Sequence, residues 1–178
     1  ARQFGFPCER PPLSTLLPRR AWRLLTCLAL LLALAAGIGL RAPTPPDEPR
    51  FVLAARAMVD TGQWLLPHRG SELYAEKPPV FMWIQAATYQ VIGNWNLAFL
   101  LSSLLAALAT LWLSWDLARR LWNRRLAWWA VLALSSCLQF GLMAKRAQID
   151  MVLVALTTLS LWGLLRHLLE RPNTRALW

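Results

Sequence analysis

Long apolar runs, separated by short clusters of arginine, restrict what this chain of 178 residues can fold into. A run of about 18 or more apolar residues is long enough for a helix to cross the hydrocarbon core of a bilayer. Charged residues make up only 16% of the chain, against roughly 25% in a typical globular protein. The sequence therefore predicts an all-α, polytopic membrane protein rather than a soluble domain.

Four segments are long enough to span a bilayer once their flanking residues are included. The expected transmembrane helices cover residues 22–41, 97–115, 126–143 and 151–169. The apolar region 80–115 is too long for one span, and Gly93-Asn94-Trp95-Asn96 divides it. Its first part, residues 80–92, is too short to cross and carries polar side chains. We expect it to form an extracytoplasmic helix lying in the membrane interface.

The arginine clusters predict which side of the membrane each loop faces. Residues 1–23, 116–125 and 166–178 are strongly basic, whereas residues 41–77 carry five basic and five acidic side chains. Because cytoplasmic loops are enriched in lysine and arginine, both termini are expected in the cytoplasm and the loop 42–96 outside it. For a bacterial protein this means the inner membrane, with the loop facing the periplasm or the exterior.

The net charge of +10 does not indicate a nucleic-acid partner, because the basic residues lie beside the apolar runs. The organisation predicted is a disordered cytoplasmic tail at 1–20, a membrane domain at 21–170 and the cytoplasmic end of a truncated chain at 171–178. Three cysteines, two of them inside apolar runs, have no metal-ligand spacing and are interpreted as small apolar side chains.

The loop 42–96 carries the local signals for a second extracytoplasmic helix. Asp47-Glu48-Pro49 predicts a helix start, because proline suits the first turn and acidic side chains suit the N-terminus. Gly62 predicts its end, and apolar residues at helical spacing suggest that it rests on the membrane surface. Further along, Pro78-Pro79 predicts an extended entry that holds Lys77 at headgroup height.

The charged residues of this loop also allow simpler interpretations when each is taken alone. Asp47 or Glu48 could cap a helix, Lys77 could reach for the interface, and Glu76 could simply neighbour it. Together, on one short loop beside a bilayer, they favour a functional site, since ionisable groups are costly there. A second cluster on the same side holds Lys145, Arg146 and Asp150. It is either an ordinary polar hairpin or one wall of a phosphate pocket.

At these residues the chain resembles the N-terminal part of bacterial GT-C glycosyltransferases. The resemblance covers roughly residues 20–170 and is closest to the aminoarabinose transferases that modify lipid A and to the dolichyl-phosphate-mannose protein mannosyltransferase family. It is carried by Asp47-Glu48-Pro49-Arg50, Trp64-x-x-Pro67, Tyr74-x-Glu76-Lys77-Pro78-Pro79 and Ala147-Gln148-Ile149-Asp150-Met151.

The resemblance implies a reaction and roles for several residues. The donor would be a polyprenyl phosphate sugar in the membrane, and the acceptor lipid A or a protein. Asp47 would act as general base with Glu48 as its acidic neighbour, and Lys77 would hold the lipid phosphate. Glu76 matches a position that helps to bind a divalent metal in some members.

The resemblance also extends to the second cluster. Asp150, with Tyr74, would line the acceptor pocket. Relatives often carry an arginine where this chain has Gln148, and Lys145 or Arg146 could supply that charge to the phosphate. Family members have around a dozen spans, so a chain with about four is expected to be a fragment.

Two other functions remain open from the sequence. One is a non-catalytic four-span protein that binds lipid or assembles with partners. The other is a channel or transporter, which the lack of an ionisable residue in the middle of the spans disfavours. The sequence predicts no particular oligomeric state.

Overall fold

The computed structural model describes residues 19–40, 42–44, 46–70, 72–74 and 76–170, without the side chains of 19, 20, 23 and 170. Most of the expected N-terminal tail and the expected end at 171–178 therefore lie outside the described residues. The chain divides into two compact units, residues 1–33 and 34–178. In the first, the described part is helical and belongs to α1, Arg19–Ala35. The helix ends six residues before the expected span 22–41 does, and residues 36–40 form turns with Gly37 and Gly39 at positive φ.

Two helices of the second unit confirm the local signals in the sequence. Helix α2 covers Glu48–Thr61 with proline in its first turn, and Gly62 ends it at φ 71°. Helix α3 covers Val80–Ile92 and ends at Gly93, φ 72°. In both, a left-handed glycine donates its N–H to a carbonyl of the last turn, as expected for a glycine that closes a helix.

The buried faces of α2 and α3 pack on protein, and their expected place at the membrane surface stays a prediction. Phe51 of α2 meets Phe81 of α3 edge to face, with ring centroids 5.4 Å apart. On α3, Gln85 donates from Nε2 to the carbonyl of Phe99 at 3.3 Å. An apolar helix face that suits a membrane surface also suits a neighbouring helix, and here both helices pack on protein.

A small β-hairpin lies between these two helices. Strands β1, His68–Arg69, and β2, Glu72–Leu73, pair antiparallel with His68 opposite Leu73. The N–H of Tyr74 then bonds to the carbonyl of Pro67 at 2.8 Å, which closes the base of the hairpin. Within the described residues the fold is therefore all-α apart from this one hairpin.

Helix α4, Trp95–Leu121, is the centre of the second unit, and α3, α5 and α7 all pack against it. It begins at Asn94, whose side chain accepts the N–H of Asn96 at 2.9 Å. Ala98 and Ala107 are fully buried on it, and such small residues let neighbouring helices approach closely. Helix α7, Ile149–Glu170, lies against it, and Trp162 donates to Asp116 at 2.9 Å.

The expected third span, residues 126–143, is two helices rather than one. Helix α5, Arg124–Ser136, and helix α6, Leu138–Ala144, meet at Cys137 at an angle of 72°. Cys137 is extended, with φ −65° and ψ 119°, so the helical hydrogen bonds cannot continue through it. Within the described residues, α4 and α7 are long and apolar enough to cross a membrane, and α5 with α6 adds a third span if the bent pair is counted as one. The sequence predicted four.

Candidate active site

Asp47 occupies the N-cap position of α2 without capping it. Its backbone is in the right-handed helical region, and its side chain makes no hydrogen bond to the first-turn N–H groups. A residue that caps with its side chain usually has an extended backbone. The half-buried Asp47 carboxylate therefore does not cap the helix, although capping is the simpler interpretation of an acid at this position.

Glu48, its neighbour, is buried and fully engaged, with 2% of its surface exposed. One carboxylate oxygen, Oε2, accepts the N–H of Thr44 at 2.7 Å and its hydroxyl at 2.8 Å. The other, Oε1, accepts the N–H of Ala147 at 2.8 Å. A carboxylate held by three short hydrogen bonds is well satisfied inside the fold. Glu48 therefore has a structural role beside Asp47, and a part in the reaction stays a prediction.

The hydrogen bond from Ala147 joins the two charged clusters that the sequence singled out. Ala147 lies in the turn between α6 and α7 and is itself fully buried. Around it, Lys145 is half-buried at the end of α6, while Arg146 is exposed. Asp150 is exposed in the first turn of α7, where a negative charge suits the helix N-terminus. The second cluster thus lies against the start of α2.

Gln148 in this turn carries an unusual polar atom. Its side-chain oxygen Oε1 is buried and has no hydrogen-bond partner among the described residues. A buried carbonyl oxygen without a donor costs free energy, and such groups call for an explanation in a native structure. The position where relatives often carry arginine therefore offers a buried acceptor beside the site.

Tyr74 is the residue on which the loop's charges converge. It is buried, with 5% of its surface exposed, and Arg69 lies over its ring with Cζ 5.9 Å from the centroid. Burial raises the pKa of the phenol above its ordinary 10.0, and the negative charge of Glu76 adds to the rise. Asp47 acts in the same direction, whereas Arg50 and Arg69 lower the pKa. Two carboxylates and two arginines therefore lie within electrostatic range of one buried phenol.

Glu76 and Lys77 are exposed on the bend between β2 and α3. Pro78 and Pro79 follow at once, and Pro79 forms the N-cap of α3 with φ −74°. Because proline fixes φ, this pair holds the bend in a narrow range of conformations. In the described ranges neither Asp47 nor Lys77 has an ion-pair partner. Asp47 and Glu76 therefore act on Tyr74 without pairing with Lys77.

Arg50 and Arg69 are parts of this arrangement that the sequence alone did not predict. Arg50 lies one turn along α2 from Asp47, and Arg69 lies in β1 with Glu72 at 3.7 Å. Arg50 belongs to the Asp-Glu-Pro-Arg motif that carried the resemblance, so a signal was present. Nothing local marked Arg69, since its position depends on how the hairpin folds back.

A metal site was expected only around Glu76. In the part of the chain that the structure describes, no group of three or more His, Cys, Asp or Glu side chains could hold a metal ion. A divalent metal at Glu76 therefore stays a prediction.

Comparisons with known proteins match both the sequence and the fold. The family model described as "Dolichyl-phosphate-mannose-protein mannosyltransferase" matches residues 76–178. An undecaprenyl phosphate-alpha-4-amino-4-deoxy-L-arabinose arabinosyl transferase from Proteus mirabilis is 35% identical over 80 residues, 45% of this chain. A second, from Pseudomonas fluorescens, is 36% identical over 104 residues, 57% of this chain.

A solved structure extends the similarity to nearly the whole chain. The crystal structure of ArnT from Cupriavidus metallidurans bound to undecaprenyl phosphate matches 88% of this chain with a TM-score of 0.81 and 26% identity. The chain spans 14% of the Proteus relative, 18% of the Pseudomonas relative and 28% of the Cupriavidus protein. The similarity therefore concerns a part of those longer proteins.

Proposed function

Because the chain belongs to the dolichyl-phosphate-mannose-protein mannosyltransferase family, we propose that it contributes to a glycosyltransferase acting at a membrane surface. The reaction moves a sugar from a polyprenyl phosphate donor to an extracytoplasmic acceptor such as lipid A or a protein. The aminoarabinose transferases among its relatives favour an undecaprenyl-linked amino sugar. The observation that carries the proposal is that the charges of Asp47, Glu76, Arg50 and Arg69 all act on the buried phenol of Tyr74, with Lys77 next to Glu76 in the chain.

Asp47 is the general base of this reaction. It accepts the proton of the acceptor hydroxyl as that oxygen forms a bond to the anomeric carbon of the donor. The bond between the anomeric carbon and the phosphate oxygen breaks in the same displacement, and the lipid phosphate leaves with its electron pair. Attack opposite the leaving group inverts the anomeric centre. What supports Asp47 over Glu48 is that only Asp47 keeps its carboxylate out of the internal hydrogen bonds.

Lys77 stabilises the departing phosphate. A fixed positive charge close to a developing anion lowers the barrier to its departure. Lys77 is exposed, and the two prolines that follow it restrict how far it can move. Arg50 and Arg69 add positive charge near Tyr74. Lys145 and Arg146 can reach the same phosphate from the turn before α7.

Glu48 positions the site instead of reacting in it. Its three hydrogen bonds tie residue 44, the start of α2 and the turn before α7 to one carboxylate. Asp47 directly precedes Glu48, so the position of its carboxylate depends on these hydrogen bonds. Asp150 and the phenol of Tyr74 then border the space where the acceptor sits. The site faces the periplasm, in a multi-pass protein of the inner membrane.

The base is tested with Asp47→Asn in the protein as encoded by its gene, reconstituted with radiolabelled lipid-linked sugar. Loss of a positioned general base is expected to lower the transfer rate by about a thousandfold. The matched control is Asp60→Asn, because Asp60 is an exposed acid on the same helix, paired with Arg56 at 3.6 Å. Membrane insertion of both variants should be normal. Transfer by Asp47→Asn at a rate close to that of Asp60→Asn would exclude Asp47 as the base.

The phosphate contact is tested with Lys77→Ala, which is expected to lower transfer by about a hundredfold. Lys77→Arg keeps the charge and should recover most of the rate, whereas Arg56→Ala, an exposed cation on α2, should not change it. Equal rates for Lys77→Ala and the unmodified protein would rule out a role in the departure of the phosphate.

A further inference from the structure

The ends of α4 and α7 that lie away from the loop 42–96 form a second charged region. We call it the arginine end and define it by Arg119, Arg120, Arg124 and Arg166. The chain around it, residues 116–125 and 166–170, holds five arginines and only two acidic residues, Asp116 and Glu170. The reaction proposed above uses none of these residues. The region therefore needs an explanation of its own.

A buried carboxylate fixes two of these arginines. Asp116 has 2% of its surface exposed, and it accepts hydrogen bonds from Nε of Arg119 and Nε of Arg120, each at 2.6 Å. Nε1 of Trp162 donates to the same carboxylate at 2.9 Å. Charged hydrogen bonds of this kind restrict both guanidinium groups and join α4 to α7. The positive charge is held at defined positions rather than carried on freely moving side chains.

Two cavities open between these side chains and share Arg120. The first, of about 360 Å³, is lined by Leu117, Arg120, Leu121, Trp162, Arg166 and Leu169. The second, of about 350 Å³, is lined by Arg119, Arg120 and Arg124. One cavity thus combines two cations with four apolar side chains, and the other has three cations and no apolar wall.

The surroundings place this region at the boundary between hydrocarbon and headgroups. Arg166 lies over the ring of Trp162 with Cζ 5.1 Å from the centroid, and Arg119 over Trp115 at 4.8 Å. Tryptophan collects at membrane interfaces, and both α4 and α7 are long and apolar enough to be spans. A ligand here would have its charged part beside water and its apolar part beside the helices.

We infer that the arginine end binds an anionic phospholipid of the leaflet on that side. Its phosphate lies between Arg120 and Arg166, and an acyl chain follows the wall formed by Leu117, Leu121 and Leu169. Arginine recognises phosphate through charged hydrogen bonds, and basic pockets between transmembrane helices hold lipid headgroups. The mixed lining favours a lipid over a free anion, which would gain nothing from the apolar wall. The second cavity accepts a second phosphate, so a lipid with two phosphates binds more tightly than one with a single phosphate.

The test measures lipids retained by the purified protein in detergent, by native mass spectrometry, after titration with defined phospholipids. Phosphatidylglycerol should bind, cardiolipin should bind more tightly, and phosphatidylcholine should not compete with either. Inorganic phosphate at the same concentration should not displace the lipid. Displacement by phosphate would show a site for a free anion and would overturn the inference, as would equal binding of phosphatidylcholine.

Variants locate the binding. Arg166→Gln should weaken phosphatidylglycerol binding about fivefold, the effect of one arginine near a membrane surface. Arg124→Gln should weaken only the extra affinity of cardiolipin. Arg56→Gln removes one exposed charge on α2 and should change neither. Because Arg120 pairs with buried Asp116, it is replaced together with it, as Arg120→Gln with Asp116→Asn. Unchanged binding in Arg166→Gln and in the double variant would overturn the inference, whereas Asp47→Asn should leave binding intact.

Discussion

The loop around Tyr74 and the arginine end use similar side chains in opposite ways. At the arginine end, the carboxylate of Asp116 is buried and saturated by two arginines and a tryptophan. In the loop, Asp47 and Lys77 have no ion-pair partner among the described residues, although charges of both signs lie close by. A carboxylate that is paired inside a fold stabilises it, whereas a carboxylate without such a partner can take part in chemistry. The presence of an acid near a membrane does not distinguish these roles, but its pairing does.

Asp47 and Glu48 show the same difference between an unpaired and a fully bonded carboxylate in two adjacent residues. Both are acids at the start of α2, and apart from the resemblance their residue types give no reason to separate them. Glu48 joins three segments, while Asp47 makes no capping hydrogen bond. Adjacent side chains at a helix start point in different directions, so one can face the protein and the other the solvent.

The largest effect should come from breaking the paired carboxylate. Asp116→Ala leaves two arginines and an indole N–H without their shared partner, and we expect a loss of about 3 kcal/mol in the free energy of unfolding. Asp47→Ala should change it by less than about 0.5 kcal/mol, since no internal hydrogen bond is lost. Unfolding of both variants in detergent, followed by tryptophan fluorescence, measures the difference. Equal losses in the two would contradict the distinction.

A smaller effect is expected at Glu48. Glu48→Gln keeps the shape but places an amide N–H₂ against groups that also donate, so we expect a loss of about 2 kcal/mol. If the hydrogen bond between Ala147 and residue 48 breaks locally, the amide hydrogen of Ala147 should exchange about thirtyfold faster. Hydrogen exchange over residues 140–150 measures this, and Glu72→Gln, an exposed acid in the hairpin, is the control. Unaltered exchange would mean that the carboxylate does not hold the turn.

The smallest effect concerns the titration of Tyr74. Burial first, and then Glu76, raise the pKa of its phenol above 10.0. The unfolded chain ionises at the lower pKa, so the stability gained from the neutral phenol is complete below pH 10 and falls as the pH rises toward the folded pKa. Tyr74→Phe should remove this loss above pH 10. Thermal unfolding across that range compares the two proteins, and identical pH dependences would show that the phenol is not perturbed.

The same titration can compare how strongly single charges in the loop change the pKa of Tyr74. The chain has two tyrosines, so a Tyr89→Phe background leaves Tyr74 as the only phenol. Tyrosinate absorbance should then show that Glu76→Gln lowers the pKa of Tyr74, while Arg50→Gln raises it. No shift in either variant would place these charges too far from the phenol to form one site.

Much of the fold follows from signals that act over a few residues. Pro49 and Gly62 bracket α2, and Gly93 ends α3, so both helices were predictable from steric rules. The break between α5 and α6 was not, because neither proline nor glycine marks Cys137. The composition of that segment suits one straight span, and only the packed structure shows the bend.

The candidate site divides in the same way. Motif and composition pointed to Asp47, Glu76 and Lys77, which are close in sequence and share one loop. The hydrogen bond from Ala147 to the Glu48 carboxylate joins residues that are 99 positions apart, and no local sequence pattern predicts it. The contribution of Arg69 likewise depends on a hairpin that brings it over Tyr74. Contacts made by distant parts of the chain decide which acid is available for chemistry.

The hydrogen bond between Glu48 and Ala147 also sets an order of events during biosynthesis. Ribosomes deliver the chain from its N-terminus, so the acid emerges well before its partner has been translated. Until α4, α5 and α6 have followed, the N–H of Ala147 is missing and water must satisfy the carboxylate oxygen that it will occupy. The start of α2 therefore reaches its final arrangement only after the later helices have been made.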